Sequence, residues 1–329
     1  MRAFFFPTAV SLVAFIGVFI WGGFSALFLA VLLAILETTL SFDNAVVNAR
    51  VLQRMTPEWQ NSFLTWGILI AVFGTRFVFP IFIVAAAAWL SPYAVTMLAF
   101  YDPAAYGERL ADARVAISAF GSAFLLLVSL KYFFNHRKTV HWIGVIERHL
   151  SRWGGIEAIE IALVLSVLLV CAFFVPAQAA TLLIAGLVGV ILFIAIEGIA
   201  QSFEIETGAG AAVGGAALFV YLNVLDSAFS LDGVIGAFAI TSALPIIITG
   251  LGIGALFVRT FTVALVRAKT LDTLRYLEHG AHWAIFGLAL AMIFGIFVHV
   301  PEPLTGLVGL VFVGLAYWSS RRELQKAAL

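Results

Sequence analysis

Runs of about twenty apolar residues, each long enough to cross a bilayer core of about 30 Å as a helix, recur from one end of this chain to the other. That yardstick predicts segments at 5–21, 24–48, 62–90, 115–134, 156–175, 179–200, 213–240, 244–266, 281–299 and 303–320. With 63% hydrophobic and 11% charged residues and a mean hydropathy of +1.09, the chain could not supply the surface of a water-soluble domain. The expected fold is therefore all-α, a polytopic bundle of about nine or ten transmembrane helices. Gly22-Gly23 divides the first two segments, the first of which is short enough to be a partial span. Arg2 and the apolar run to Trp21 have the outline of a signal peptide, but Trp21-Gly22-Gly23 lacks the small-x-small cleavage pattern, so the run reads as a span. Pro176, Pro245 and Pro301 with Pro303 are expected at tight turns.

Orientation follows from the basic residues. Arg2, Arg50 and Arg54, the group Lys131, Arg137, Lys138, Arg148 and Arg152, then Arg267, Lys269 and Arg275, and Arg321, Arg322 and Lys326 all fall in alternate loops. The positive-inside rule places those loops and both termini in the cytoplasm, in a plasma or inner membrane. Only Arg109 and Arg114, in the loop 91–114, fall on the other side. The stretch from His136 to Trp153 is amphipathic and reads either as a segment on the inner membrane surface or as a solvated connector. Eighteen basic residues balance eighteen acidic ones and no basic patch carries interleaved aromatics, which excludes a nucleic-acid surface. Cys171, alone in an apolar run, excludes an internal disulfide and a thiolate cluster.

Two apolar segments carry acids in the same order. Leu36 to Val47 reads L-E-T-T-L-S-F-D-N-A-V-V, and Glu37, Ser41 and Asp43 match Asp226, Ser230 and Asp232 in spacing. In the span after each, a glycine precedes an arginine by nine residues, Gly67 before Arg76 and Gly250 before Arg259. The motif helices are expected to cross the membrane in opposite directions, as in an inverted-topology repeat, with halves at 1–155 and 156–329 and a substrate site where they meet.

On an ideal helix Glu37, Ser41, Asn44 and Asn48 share one stripe, as do Asn223, Asp226, Ser230 and Gly233. Asp43 and Asp232 fall roughly 120° from the first acid of their own helix, so either the helix unwinds near Ser41 and Ser230 or the second acid serves another partner. A charged side chain at the centre of a membrane helix costs about 2.5 to 3.5 kcal/mol, so four acids require an explanation. Glu37, Asp43, Asp226 and Asp232 against Arg76 and Arg259 leave two negative charges, which one divalent cation or two protons would neutralise. Carboxylate, amide and hydroxyl oxygens without paired histidines or thiolates make a hard site suited to manganese, calcium or magnesium. Metal exchanged against protons is the expected activity.

Blander readings stand beside these. The acids can be ion pairs with Arg76 and Arg259 that hold a membrane scaffold together, and Ser41 and Ser230 can bond their own backbone carbonyls. Glu157, Glu160 and Glu197, at the ends of their spans, can snorkel to water or form a cation entrance. His282, beside Glu278 and His279, and His299 are expected at the interface. Enzyme chemistry is not expected: there is no G-x-G-D setting around Asp226 or Asp232, no H-E-x-x-H, no phosphate-binding glycine loop and no lysine between Lys269 and Lys326 to hold retinal.

At these residues the chain resembles the TerC family of integral membrane proteins. E-T-T-L-S-F-D-N-A-V-V at 37–47 is similar to that family's E-x-x-L-S-x-D-N-A signature, and N-V-L-D-S-A-F-S-L-D at 223–232 with F-A-I-T at 238–241 resembles its second acidic block. The run E-H-G-A-H at 278–282 and the two glycine-to-arginine spans extend the likeness. Asn223 stands where that family has glutamate, and Gly233-Val234-Ile235 replaces Ser-Ile-Pro, which marks a divergent branch. The resemblance implies metal-ion homeostasis, chiefly manganese efflux, with Glu37, Asp43, Asn44, Asp226 and Asp232 as ligands and no permanently bound cofactor.

Overall fold

A computed structural model describes residues 2–136, 138–204, 211–298 and 300–327. Among these the chain is helical throughout, with no strand. Its helices are α1 (Arg2–Leu40), α2 (Phe42–Leu52), α3 (Pro57–Leu69), a π-helical stretch (Ile70–Val78), α4 (Phe79–Ala88), α5 (Pro92–Tyr101), α6 (Pro103–Asp112), α7 (Arg114–Phe133), α8 (Gly144–Trp153) and α9 (Ile159–Phe174). After a 3-10 turn at Pro176–Gln178 follow α10 (Ala179–Glu204), α11 (Ala211–Ile240), α12 (Leu244–Arg267), the single turn α13 (Thr270–Thr273), α14 (Leu277–Phe297) and α15 (Glu302–Ala327). Six of the described helices are long and apolar enough to span a bilayer, and the protein is a multi-pass integral membrane protein. Arg137 and His299 lie outside the described residues.

The outer helices present large apolar side chains outward, such as Phe19, Phe28, Phe173 and Ile191, as lipid-facing surfaces do. The interior is built around α7, buried over most of its length and flanked by α10, α14, α11 and α9. Phe124, Leu125 and Leu127 on α7 join Ile285 and Ala289 of α14 in the larger core.

α1 is not one straight rod. Gly23 has φ 68° and ψ −160°, a conformation open essentially to glycine alone. The rings of Phe4 and Phe42 both pack on Phe261, at centroid distances of 5.3 and 5.6 Å. A straight helix would hold residues 4 and 42 about 57 Å apart, so the chain doubles back at Gly23. The segments expected at 5–21 and 24–48 are thus two helical limbs joined at the glycine pair. The second limb continues into α2 through Ser41, whose φ of −98° and ψ of 17° make a shallow break.

The expected connector at 91–114 is two short helices. Ser91 and Asp102 each accept a backbone N–H at their N-caps, at 3.2 and 3.1 Å, and a proline follows each. Tyr106 and Leu110 bury this excursion against the core around α1, α4 and α12. The prolines lie at turns as expected: Pro176 opens the 3-10 turn, Pro245 lies in the first turn of α12, and Pro301 falls between α14 and α15.

Candidate functional site

The two polar stripes face each other. Asn44 Nδ2 donates to Asp226 Oδ1 at 2.6 Å, while Glu37 Oε2 lies 2.9 Å from where a side chain on Gly233 would begin. Seven residues forward from Glu37 to Asn44 correspond to seven residues back from Gly233 to Asp226, so the α1–α2 path and α11 run antiparallel at the level of the motifs. Glycines permit the approach. A Cβ on Gly254 of α12 would stand 2.4 Å from the Cβ and Cγ of Glu37, and one on Gly250 would stand 2.5 Å from the Cβ of Leu33.

At the centre lies Arg76, carried by the π-helical stretch. Its Nη2 pairs closely with Glu37 Oε1, its Nη1 lies 4.0 Å from Asp226 Oδ2, and Nη1 also reaches Thr75 Oγ1 at 3.3 Å. Ser41 Oγ donates to Glu37 Oε1 at 3.1 Å, so its hydroxyl is tied to the acid rather than to its own backbone. Glu37, Asn44, Arg76 and Asp226 are all buried. Wide π turns recur at functional positions because they re-aim a side chain within an otherwise regular helix.

Arg259 holds a different position. Its Nη1 donates to the carbonyl of Phe63 at 2.9 Å, its guanidinium stacks 3.8 Å from the centre of the Phe63 ring, and it fills the space a side chain on Gly67 would need. Its Nη2, though buried, has no hydrogen-bond partner among the described residues.

Not all the expected ligands converge. Asp43 is buried but turns away from the arginines: its Oδ2 lies 3.4 Å from the Cβ position of Gly309 on α15, and its Oδ1 accepts the Asn44 N–H at 2.9 Å. The break at Ser41 is too shallow to swing it back, because Ser41 N still bonds Glu37 O at 3.0 Å and Ala45 N bonds Ser41 O at 3.2 Å. No ion pair to Asp43 is present among the described residues. The side chain of Asp232 lies outside the described residues. Among the described residues no three His, Cys, Asp or Glu side chains form a ligand cluster. Of the expected ligands, Glu37, Asn44 and Asp226 thus meet around Arg76, while Asp43 stands apart.

Four buried oxygens on the stripes have no donor among the described residues: Asn44 Oδ1, Asn48 Oδ1, Asn223 Oδ1 and Ser230 Oγ. Asn223 spends its amide nitrogen on Phe219 O, one turn back, at 2.7 Å, which leaves its oxygen for another partner. Ser230 bonds no backbone carbonyl, unlike Ser227, which donates to Asn223 O.

One end of the bundle opens into a cavity of about 730 Å³ whose lining includes Arg50, Lys138, Asp272, Arg275, Glu278 and Glu323. Basic residues expected to share one side of the membrane thus do share one end of the fold. Arg50 reaches Glu278 at 3.2 Å and Asp272 at 4.0 Å, and Arg275 reaches Glu323 at 3.1 Å. A smaller chamber of about 210 Å³ shares Arg50 and Glu278 and extends to Val47, Glu197 and Tyr221, within two residues of Asn48 and Asn223 along the chain. Of the expected entrance acids only Glu197 lines it, bonded to Lys131 at 2.8 Å. Glu157 lies in an exposed turn and Glu160 in the first turn of α9, and neither lines these cavities. The acids of this end that the expectation lacked are Asp272, Glu278 and Glu323.

A second polar centre was not expected at all. Glu147 on α8 is fully buried and accepts from Lys138 Nζ at 3.0 Å, the backbone N–H groups of Trp142 and Ile143, and Trp283 Nε1 at 3.1 Å, with His279 Nδ1 at 2.8 Å. Burial alone would raise its pKa, but His279 and Lys138 outweigh that and hold the carboxyl well below the ordinary carboxylate range. Burial likewise draws the Lys138 ammonium down, against the pull of Glu147 and Glu278. His279 is thus a buried partner of Glu147, and His282 is buried too, its ring stacked 3.6 Å from that of Tyr132. The segment 136–153 is neither a free connector nor only a surface helix, since Glu147 pins it to α14.

A family model described as "Protein of unknown function (DUF475)" matches residues 42–327. No curated protein and no solved structure matches the chain.

Proposed function

For this chain, which belongs to the DUF475 family of unknown function, we propose a secondary transporter that exports a divalent metal cation, manganese in the first place, in exchange for protons. The observation that supports it is the set of buried amide and hydroxyl oxygens without donors on two facing antiparallel helices, around Asp226 and next to a chamber that opens toward one end of the fold. Oxygen donors of this kind suit hard divalent cations. Asp43 adds a buried acid with no arginine against it, and the resemblance to TerC proteins points to the same activity. In this reading the basic end faces the cytoplasm, the termini lie there, and Arg76 holds Glu37 and Asp226 apart from the cation until it moves.

A second reading has a specific observation behind it. The charges of Glu37 and Asp226 are balanced in number by Arg76 and Arg259, which is what a scaffold with structural ion pairs would display. Manganese flux in everted vesicles separates the two. Wild type is expected to accumulate manganese under a proton gradient and Asp43→Asn to lose most of that flux while remaining folded; equal flux in both would sink the transporter reading.

A further inference from the structure

Arg76 and Arg259 occupy corresponding places in the two repeats, nine residues after Gly67 and Gly250, yet they do different things. Arg76 bridges Glu37 of its own half and Asp226 of the other. Arg259 has one hydrogen bond among the described residues, to a backbone carbonyl, and a buried guanidinium nitrogen without a partner. A buried donor left unsatisfied is unfavourable, the more so when it is charged. The Asp226 carboxylate favours the buried Arg259 cation, although no ion pair joins the two among the described residues.

The seat of Arg259 is built for it from the other repeat. Gly67 has no side chain where the guanidinium lies, and a Cβ there would stand 2.3 Å from Nη1. The Phe63 ring lies 3.8 Å from the guanidinium carbon, a stacking arrangement that stabilises a desolvated cation. The helices carrying the two arginines differ as well: the first is π-wound from Ile70 to Val78, whereas α12 is regular through Arg259. Two halves of similar motif in unlike conformations fit a molecule in which one repeat rocks against the other around a fixed site.

We infer that Arg76 and Arg259 are alternative partners of Asp226, and that passing this carboxylate from one arginine to the other switches the protein between its two access states. The inference rests on the transporter reading for the meaning of those states, but the exchange itself is a property of the fold. With Arg76 on Glu37 and Asp226, the chamber beside Val47 and Val51 is open to the basic end; with Arg259 on Asp226, Arg76 is released and the chamber closes.

A thiol-accessibility experiment reads the exchange without any metal. In a full-length chain carrying Cys171→Ala, a cysteine is placed at Val51, a half-buried residue lining the chamber, and its alkylation by a water-soluble maleimide is timed in detergent. Gly67→Ala, which evicts Arg259 from its seat, and Arg76→Gln, which frees Asp226, are each expected to slow alkylation about fivefold or more. Adding Arg259→Gln to Arg76→Gln is expected to restore the rate, because the competing partner is gone. Should Gly67→Ala fail to fold, the arginine pair carries the test alone. Unchanged alkylation in Arg76→Gln, or a double variant no faster than that single one, would overturn the exchange. Manganese flux is measured separately: altered alkylation without flux leaves the exchange standing and removes the transporter reading, and flux with unresponsive alkylation does the reverse.

Discussion

Asn44 donates to Asp226 across 2.6 Å, the direct side-chain hydrogen bond between the two motif helices. A hydrogen bond to a buried carboxylate stabilises by about 1.5 to 3 kcal/mol, so Asn44→Ala is expected to lose that much in unfolding measurements in detergent. In an Asp226→Ala background the same substitution should lose much less. Additive losses would mean that the bond contributes nothing to stability.

Glu37 and Asp43, six residues apart, are expected to respond in opposite ways. Glu37→Gln leaves the Arg76 cation buried with half its neutralising charge gone, a loss of about 3 to 5 kcal/mol for a broken buried pair. Asp43→Asn removes an acid that no described cation balances, so stability should hold or rise. Parallel unfolding of the two variants is the check, and equal losses would contradict the split geometry.

Gly23→Ala tests the reversal of α1. The conformation at Gly23 is essentially confined to glycine, and forcing a Cβ into it is expected to cost about 1 to 3 kcal/mol. Spin labels at Phe6 and Thr39 should report a short distance in the wild type. A straight helix would separate them by about 50 Å, and a distance near that value in the wild type would refute the doubled-back limb.

Acid should find Glu147. Its carboxyl titrates lower in the folded chain than in the unfolded one, so its stabilisation is complete above the ordinary glutamate value near 4.3 and fades as the pH falls below it. Glu147→Gln is expected to lose about 3 kcal/mol at neutral pH, and the gap between variant and wild type should narrow from about pH 5 downward. A gap constant from pH 7 to pH 3 would show that the five donors serve packing and not charge.

Much of this architecture was legible before any coordinates. Apolar length predicted nine or ten spans, and six helices long and apolar enough to cross a bilayer stand among the described residues, with the glycine pair at 22–23 marking the reversal inside the first of them. Helical period placed Glu37 and Asn44 on one face and Asp226 and Ser230 on the other, because angular position depends only on spacing. The same arithmetic set Asp43 off that face, and a modest break at Ser41 did not overrule it. The helices at 92–101 and 103–112 had a signal in Ser91-Pro92 and Asp102-Pro103, each a capping residue followed by a first-turn proline. What spacing could not supply was partnership across the chain. Glu147 meets His279 across 132 residues, and Arg259 sits on Phe63 and Gly67, helices away in sequence. Nothing local distinguishes these residues from a surface glutamate or a helix-locking arginine.

The π-helical stretch also bears on how the repeats are compared. Gly67 to Arg76 and Gly250 to Arg259 are both nine residues, but a wider turn winds less far per residue, so equal spacing does not mean equal direction. In effect a letter-by-letter alignment matches two arginines that the windings of their helices aim differently. The π winding is thus a hinge pin: it aims one arginine at the acids without altering the number of residues that separate it from its glycine.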